Sequence, residues 1–165
     1  LGAGNGVISN HLLKYFDLEL HNYDMYFSAD HNKVSEDELK LRGYNLVVNS
    51  GVFEHVRSRE TLDRIEGYVK EDGCLAIHTL VAEEIPRGPD WMYLLPVHCS
   101  FHTNHSMDLL MKQWGYTSSV YNESSKLWVL FKGCDKTIKE HVDAMNNSLG
   151  WEYLYYRSGF VDYWK

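Results

Sequence analysis

Apolar positions along this chain follow two patterns, a spacing of about four residues and short continuous runs, and the two alternate. Ile8, Leu12 and Phe16 stand four apart with Leu13 beside them, which predicts a helix with one apolar face just after residue 6. Residues 18–23 then read as a short strand ending at Asp24, and the polar stretch 28–43 as a loop with room for one helical turn. "YNLVVNS", residues 44–50, is a compact apolar run with a polar end, as in a buried parallel strand that stops at a cleft. Leu62, Ile65, Tyr68 and Val69 mark a second helix, "EDG" at 71–73 supplies a stop and turn, and "CLAIHTL" at 74–80 is the next strand. A long connection, 81–102, carries all three prolines. Thr103 or Asn104 caps a helix whose buried stripe is Met107, Leu110, Met111 and Trp114, with Gly115 at its end. "YTSSVY" and "KLWVLFK" flank the turn-like "NESS" and predict an antiparallel hairpin.

Strands alternating with helices and closed by a hairpin define an α/β open sheet, mostly parallel with an antiparallel hairpin edge. Residues 1–132 form this unit. Residues 133–165 read as a helical, aromatic-rich extension: Ile138, Val142, Met145 and Leu149 trace a helical stripe, and "WEYLYYRSGFVDYWK" follows it. So dense a set of aromatics suits a cover over the sheet, a substrate lid or a homodimer surface.

Composition narrows the function classes. With 165 residues, 44% of them hydrophobic and 14% aromatic, the chain can bury one substantial core. A net charge of -7 argues against nucleic acid as a partner, and no apolar run is long enough to span a bilayer. Cys74, Cys99 and Cys134 are an odd number without CxxC spacing, so neither a disulfide framework nor a zinc knuckle is indicated and a reducing, cytoplasmic setting fits.

The chemistry concentrates at the start. "LGAGNG" places Gly2, Gly4 and Gly6 at every second position, where a backbone turns tightly or admits a close ligand. A dinucleotide fingerprint needs GxGxxG, and its third glycine falls on Val7, which counts against a nicotinamide oxidoreductase. GxGxG followed eighteen residues later by Asp24, whose carboxylate can accept both ribose hydroxyls, suits an adenosine-containing ligand.

With "LGAGNG", Asp24, "YNLVVNSGVFEHV" and "DWMYLLPVHCSFHTNHSMDLLMKQWGY" in this order, the chain resembles a class I S-adenosylmethionine-dependent methyltransferase over residues 1 to about 132. The resemblance implies a Rossmann-like, three-layer α/β/α fold whose first strand is present here only in part. It implies S-adenosyl-L-methionine as cofactor, with Gly2, Ala3, Gly4 and Gly6 approaching its methionine portion and Asp24 holding its ribose. Met25 would pack on the adenine, and Asn49, Ser50 and Gly51 would flank the cofactor.

Methyl transfer is an in-line displacement that needs alignment, exclusion of water and, for a protonated acceptor, a base. Glu54, His55 and His98 are the candidate catalytic residues, because a carboxylate or an imidazole can take the proton; His102 and His105 are weaker candidates. Some relatives bind a divalent ion through ExxEH, but Gly51 replaces the first glutamate, so no metal is expected, although Glu54, His55 and His98 retain a reduced set. The expected function is methyl transfer to the oxygen or nitrogen of a small molecule such as a sugar or other secondary metabolite. A binding or scaffold subunit that keeps the fold without the activity is the alternative.

Overall fold

The computed structural model describes residues 1–27, 32–133 and 135–162. Cys134 and the last two aromatics, Tyr163 and Trp164, lie outside the described residues, as does the start of the predicted 28–43 loop. The protein is a mixed α/β structure. Helices α1 (Val7–Phe16), α2 (Arg59–Gly67), α3 (Asn104–Gln113) and α4 (Asp135–Leu149) accompany strands β1 (Tyr44–Ser50), β2 (Val69–His78), β3 (Val81–Ala82), β4 (His102–Thr103), β5 (Ser118–Asn122), β6 (Leu127–Phe131) and β7 (Leu154–Ser158). The main sheet has the order β1-β2-β6-β5-β7, and β3 pairs separately with β4.

The expected mostly parallel sheet is corrected by these pairings. Among the described residues of the main sheet only β1 and β2, joined by a helical crossover through α2, run parallel, whereas β2 with β6, β5 with β6 and β5 with β7 are antiparallel. The hairpin appears at its expected place. It lies inside the sheet rather than at its edge, because residues after α4 return to add β7 beside β5. The extension expected to be helical therefore contributes a strand, and its Phe160 and Val161 enter the core, where Phe160 stacks on Trp128 at 5.6 Å.

Two local expectations also change. "EDG" at 71–73 lies inside β2, as an excursion between the pairs Tyr44–Val69 and Leu46–Cys74. A Cβ on Gly73 would stand 2.9 Å from the Asn45 carbonyl oxygen, so glycine is what lets β2 close back onto β1 there. Residues 18–23 form no strand. Asn22 makes a single bridge to Lys33, and the segment faces the open edge of β1 across a cavity of about 490 Å³ lined by Leu1, Ile8, Leu20 and Leu46 among others. Without a neighbouring ladder a strand cannot satisfy its backbone groups. Helix α1 forms as predicted, but Ile8 and Phe16 on its apolar face stay exposed and its only buried residue is Ser9.

The core lies where α2, α3 and the sheet meet, through Leu62, Ile65, Leu75, Met107, Met111 and Trp128. Thr103 caps α3 as expected, accepting the Ser106 amide, and Gly115 takes φ +77° after its end. His102, just before that cap, is buried beside the Phe53 ring at 5.7 Å. Burial pushes its pKa below 6.5, against the opposing pull of the Phe53 backbone and the Glu54 charge. A lowered folded pKa means that His102 supports folding above pH ~6.5 and that this contribution is lost as pH falls through the folded value. From about pH 7.5 to about 5.5 the melting temperature of the wild type should therefore fall more steeply than that of His102→Leu, and parallel curves would assign the loss to other groups.

Candidate active site

The opening glycines form a tight loop ahead of α1. Gly2, Gly4 and Gly6 all have left-handed backbones, with φ of +68°, +53° and +70°, which explains why the chain spends three glycines there. A Cβ on Gly2 would fall 2.2 Å from Val52 Cγ2, whereas one on Gly4 would meet open space. Gly2 thus lets the loop pack on the residue after Gly51, and Gly4 leaves room above the loop. The Leu1 backbone nitrogen donates to the Val48 carbonyl at 2.9 Å. Loop and strand end are therefore neighbours, as the motif order implies.

Asp24 ties the second element to this loop. Its Oδ2 accepts the Gly4 amide at 2.8 Å, its Oδ1 accepts the Tyr26 and Phe27 amides at 2.8 and 2.9 Å, and the Ala3 amide donates to the Tyr23 carbonyl at 3.1 Å. Burial raises the Asp24 pKa, but the hydrogen bonds from Tyr26, Gly4 and Phe27 outweigh it, so the carboxyl ionises below its usual range. A carboxylate offers about four acceptor positions, so three amides leave space for about one more donor. Accepting both hydroxyls of a ribose would require one amide to let go. Met25, beside it, is 70% exposed, and Tyr26 and Phe27 are exposed too, so these three present an uncovered apolar surface.

At the end of β1, Asn49 is fully buried, yet neither its side-chain oxygen nor its nitrogen has a hydrogen-bond partner among the described residues. Such an orphan costs about 1–3 kcal/mol. Ser50 Oγ lies 3.5 Å from His78 Nδ1, and Gly51, at φ +64°, donates its amide to the His78 carbonyl at 2.9 Å.

Glu54 and His55 follow in a single 3-10 turn, Phe53–His55. The Glu54 backbone carbonyl accepts the Cys99 and Ser100 amides at 2.9 and 3.1 Å, which pins the long connection here and brings His98 to His55, with ring centroids 4.9 Å apart. The Glu54 side chain is buried, and its Oε2 accepts the Thr79 hydroxyl at 3.0 Å. His55 Nδ1 lies 2.9 Å from the Val97 carbonyl, and His98 Nδ1 lies 2.8 Å from the Tyr93 carbonyl. A carbonyl can only accept, so both rings donate from Nδ1, which leaves Nε2 as the lone-pair nitrogen of each neutral ring.

The three candidates therefore come together, while His102 belongs to the core. Sequence reasoning passed over Thr79, Tyr93, Trp91 and Phe101. Tyr93 packs on His98 at 4.3 Å between ring centroids, and Trp91 meets Phe101 at 5.0 Å, so an aromatic wall stands beside the cluster. Burial first, and the nearby Glu54 carboxylate after it, push the Tyr93 hydroxyl pKa upward. The spacing of "DWMY", "PVH" and "SFH" carried the signal for the aromatics; nothing in the sequence marked Thr79.

A glycine loop stapled by an acid thus lies against the polar end of β1, with Glu54, His55 and His98 gathered just beyond it. Residues 1–119 match the family described as a methyltransferase domain, and the chain belongs to that family. Neither a curated protein nor a solved structure matches it. Among the described residues no helix is long and apolar enough to cross a membrane.

Proposed function

We propose that the chain transfers a methyl group from S-adenosylmethionine to an oxygen or nitrogen of a small-molecule acceptor, on a Rossmann-like, three-layer scaffold. The observation that carries this reading is the Asp24 staple on Gly4, which holds the glycine loop open above residue 4 and directly against the end of β1. The residues suit the cofactor chemically. Gly4 leaves space for a close approach, Asp24 keeps about one acceptor position for a hydroxyl, and the orphaned Asn49 amide has a donor and an acceptor to offer. The exposed Met25 surface gives an apolar ring something to cover.

When bound, the cofactor would supply a methyl carbon on a positively charged sulfur. The chain's own part is positioning and proton handling. His55 and His98, each held by a backbone carbonyl at Nδ1, offer Nε2 to the proton of an acceptor hydroxyl or amine. Glu54 beside them stabilises the imidazolium that results, and the rings of Trp91, Tyr93 and Phe101 keep water from that side. Aromatic faces of this kind also suit the flat apolar side of a sugar ring.

Calorimetric titration with S-adenosylmethionine tests the cofactor half. Asp24→Ala should weaken binding by roughly 10- to 100-fold, the equivalent of losing one or two charge-assisted hydrogen bonds. Equal affinity in wild type and variant would remove Asp24 from the site, and no binding by the wild type would favour a scaffold role.

A further inference from the structure

The long connection between β3 and β4 turns apolar side chains outward on the same loop that carries His98. Met92, Leu94, Leu95 and Val97, four of six consecutive residues, are between 46% and 76% exposed. We propose that this shelf receives the aliphatic substituent of an uncharged phenol, whose hydroxyl is the methyl acceptor and whose ring lies against Trp91, Tyr93 and Phe101. The inference rests on the methyl-transfer reading and names its substrate class.

Three observations point to that occupant. The loop is tied down: the Leu94 amide donates to the Trp91 carbonyl at 2.9 Å, the His98 amide to the Leu95 carbonyl at 3.0 Å, and the Leu80 amide to the Tyr93 hydroxyl at 3.3 Å. Its outward apolar side chains are thus a built feature of the fold. The same loop also positions the two imidazoles, since Val97 and Tyr93 supply the carbonyls at His55 Nδ1 and His98 Nδ1, so Val97 and Leu94 stand at or next to those anchors. Finally, residues 91–107 contain no Asp, Glu, Lys or Arg in a chain that is 24% charged. A stretch of that length normally carries about four charges, and exposed apolar residues gathered without them mark a surface that meets an apolar ligand.

The chemistry of the loop sorts the acceptors. A carboxylate or phosphate finds no counter-charge along residues 91–107. A sugar would leave hydroxyls over apolar side chains, which is costly without hydrogen bonds to replace those of water. An aromatic ring matches the tilted rings of Trp91 and Phe101, and an aliphatic substituent gains from the shelf in proportion to the apolar area it removes from water. A phenol also yields its proton more readily than a sugar hydroxyl does, which suits an imidazole acceptor. In the transfer, the phenol oxygen forms its bond to the methyl carbon as the carbon–sulfur bond breaks. The bonding pair leaves with the thioether, now neutral, and the phenol proton passes to Nε2 of His55 or His98.

Calorimetry on the whole chain, with phenol, 4-propylphenol and 4-hexylphenol as probes, tests the shelf. Affinity should rise about two- to fourfold per methylene, as expected for apolar groups leaving water. In the double variant Leu94→Ser, Val97→Ser, the total gain from phenol to 4-hexylphenol should shrink at least about tenfold, while phenol itself binds as it does to the wild type. Hexyl glucoside, which carries the same tail on a sugar, should bind at least about tenfold more weakly than 4-hexylphenol. Circular dichroism confirms that the variant is folded, and Met92→Ser, at the most exposed of the four positions, replaces it if it is not. Equal affinity for the three phenols, an unchanged gain in the folded variant, or hexyl glucoside bound as tightly as 4-hexylphenol overturns the inference. So does indifference to the tail together with uptake by phosphatidylcholine vesicles that the variant loses, which would make the shelf a lipid-facing surface. S-adenosylmethionine affinity is measured separately on the same chain. Cofactor binding without tail dependence overturns the acceptor class alone, and tail dependence without cofactor binding overturns the methyl-transfer reading alone.

Discussion

Methyl transfer by His55→Ala is expected to run about 10²- to 10⁴-fold slower than in the wild type, with S-adenosylmethionine affinity nearly unchanged. The split follows from where the groups sit. Cofactor contacts are proposed for the loop at residues 2–6, Asp24 and the end of β1, whereas His55 lies beyond Gly51 and meets His98 and the aromatic wall. Its ring is exposed and its hydrogen bond runs to the Val97 carbonyl, so removing it leaves the core intact. Steady-state rates beside calorimetry measure the two effects independently. A large loss of cofactor affinity, or an unaltered rate, would assign His55 to structure.

Trp128→Ala should cost about 3–5 kcal/mol of folding stability, a large share of the ~5–15 kcal/mol typical of a domain. Trp128 is fully buried on β6, packs on Tyr121 at 4.5 Å and stacks on Phe160 at 5.6 Å. Its indole nitrogen donates to the Val161 carbonyl at 2.9 Å, so one side chain joins the hairpin to the segment after β7. Alanine removes the packing and leaves that buried carbonyl short of its donor. Urea unfolding reads the loss as a lower midpoint, and Trp128→Phe, which keeps most of the ring area, should recover part of it. A midpoint within experimental scatter of the wild type would mean that residues 159–162 do not belong to the cooperative unit.

Much of this architecture is legible in local patterns. The four-residue spacing of Ile8, Leu12 and Phe16 announces α1, the Thr103 cap and the Met107–Met111 stripe announce α3, and "NESS" announces the hairpin, because each rests on contacts within one turn or one strand pair. Burial is less legible. Ile8 and Phe16 lie on the predicted apolar face of α1 and remain exposed, because periodicity reports which residues share a face but not what covers it. Sheet order is less legible still: nothing near Leu154–Ser158 says that they pair with β5, more than thirty residues earlier in the chain. "EDG" looked like a turn because its residues favour turns, and the approach of the Asn45 carbonyl over Gly73 made it part of β2.

The site divides along the same line. Three alternating glycines already specify a bent loop, since left-handed backbone geometry is a property of the glycines themselves. The pairing of His55 with His98 across forty-three residues, and the choice of Nε2 as the free nitrogen on both, exist only once the Glu54 carbonyl clamps the long connection. Local chemistry settles what each short stretch can do. Which distant stretches meet, and which atoms they leave facing one another, depends on packing between segments far apart in the chain, and only the tertiary structure decides it.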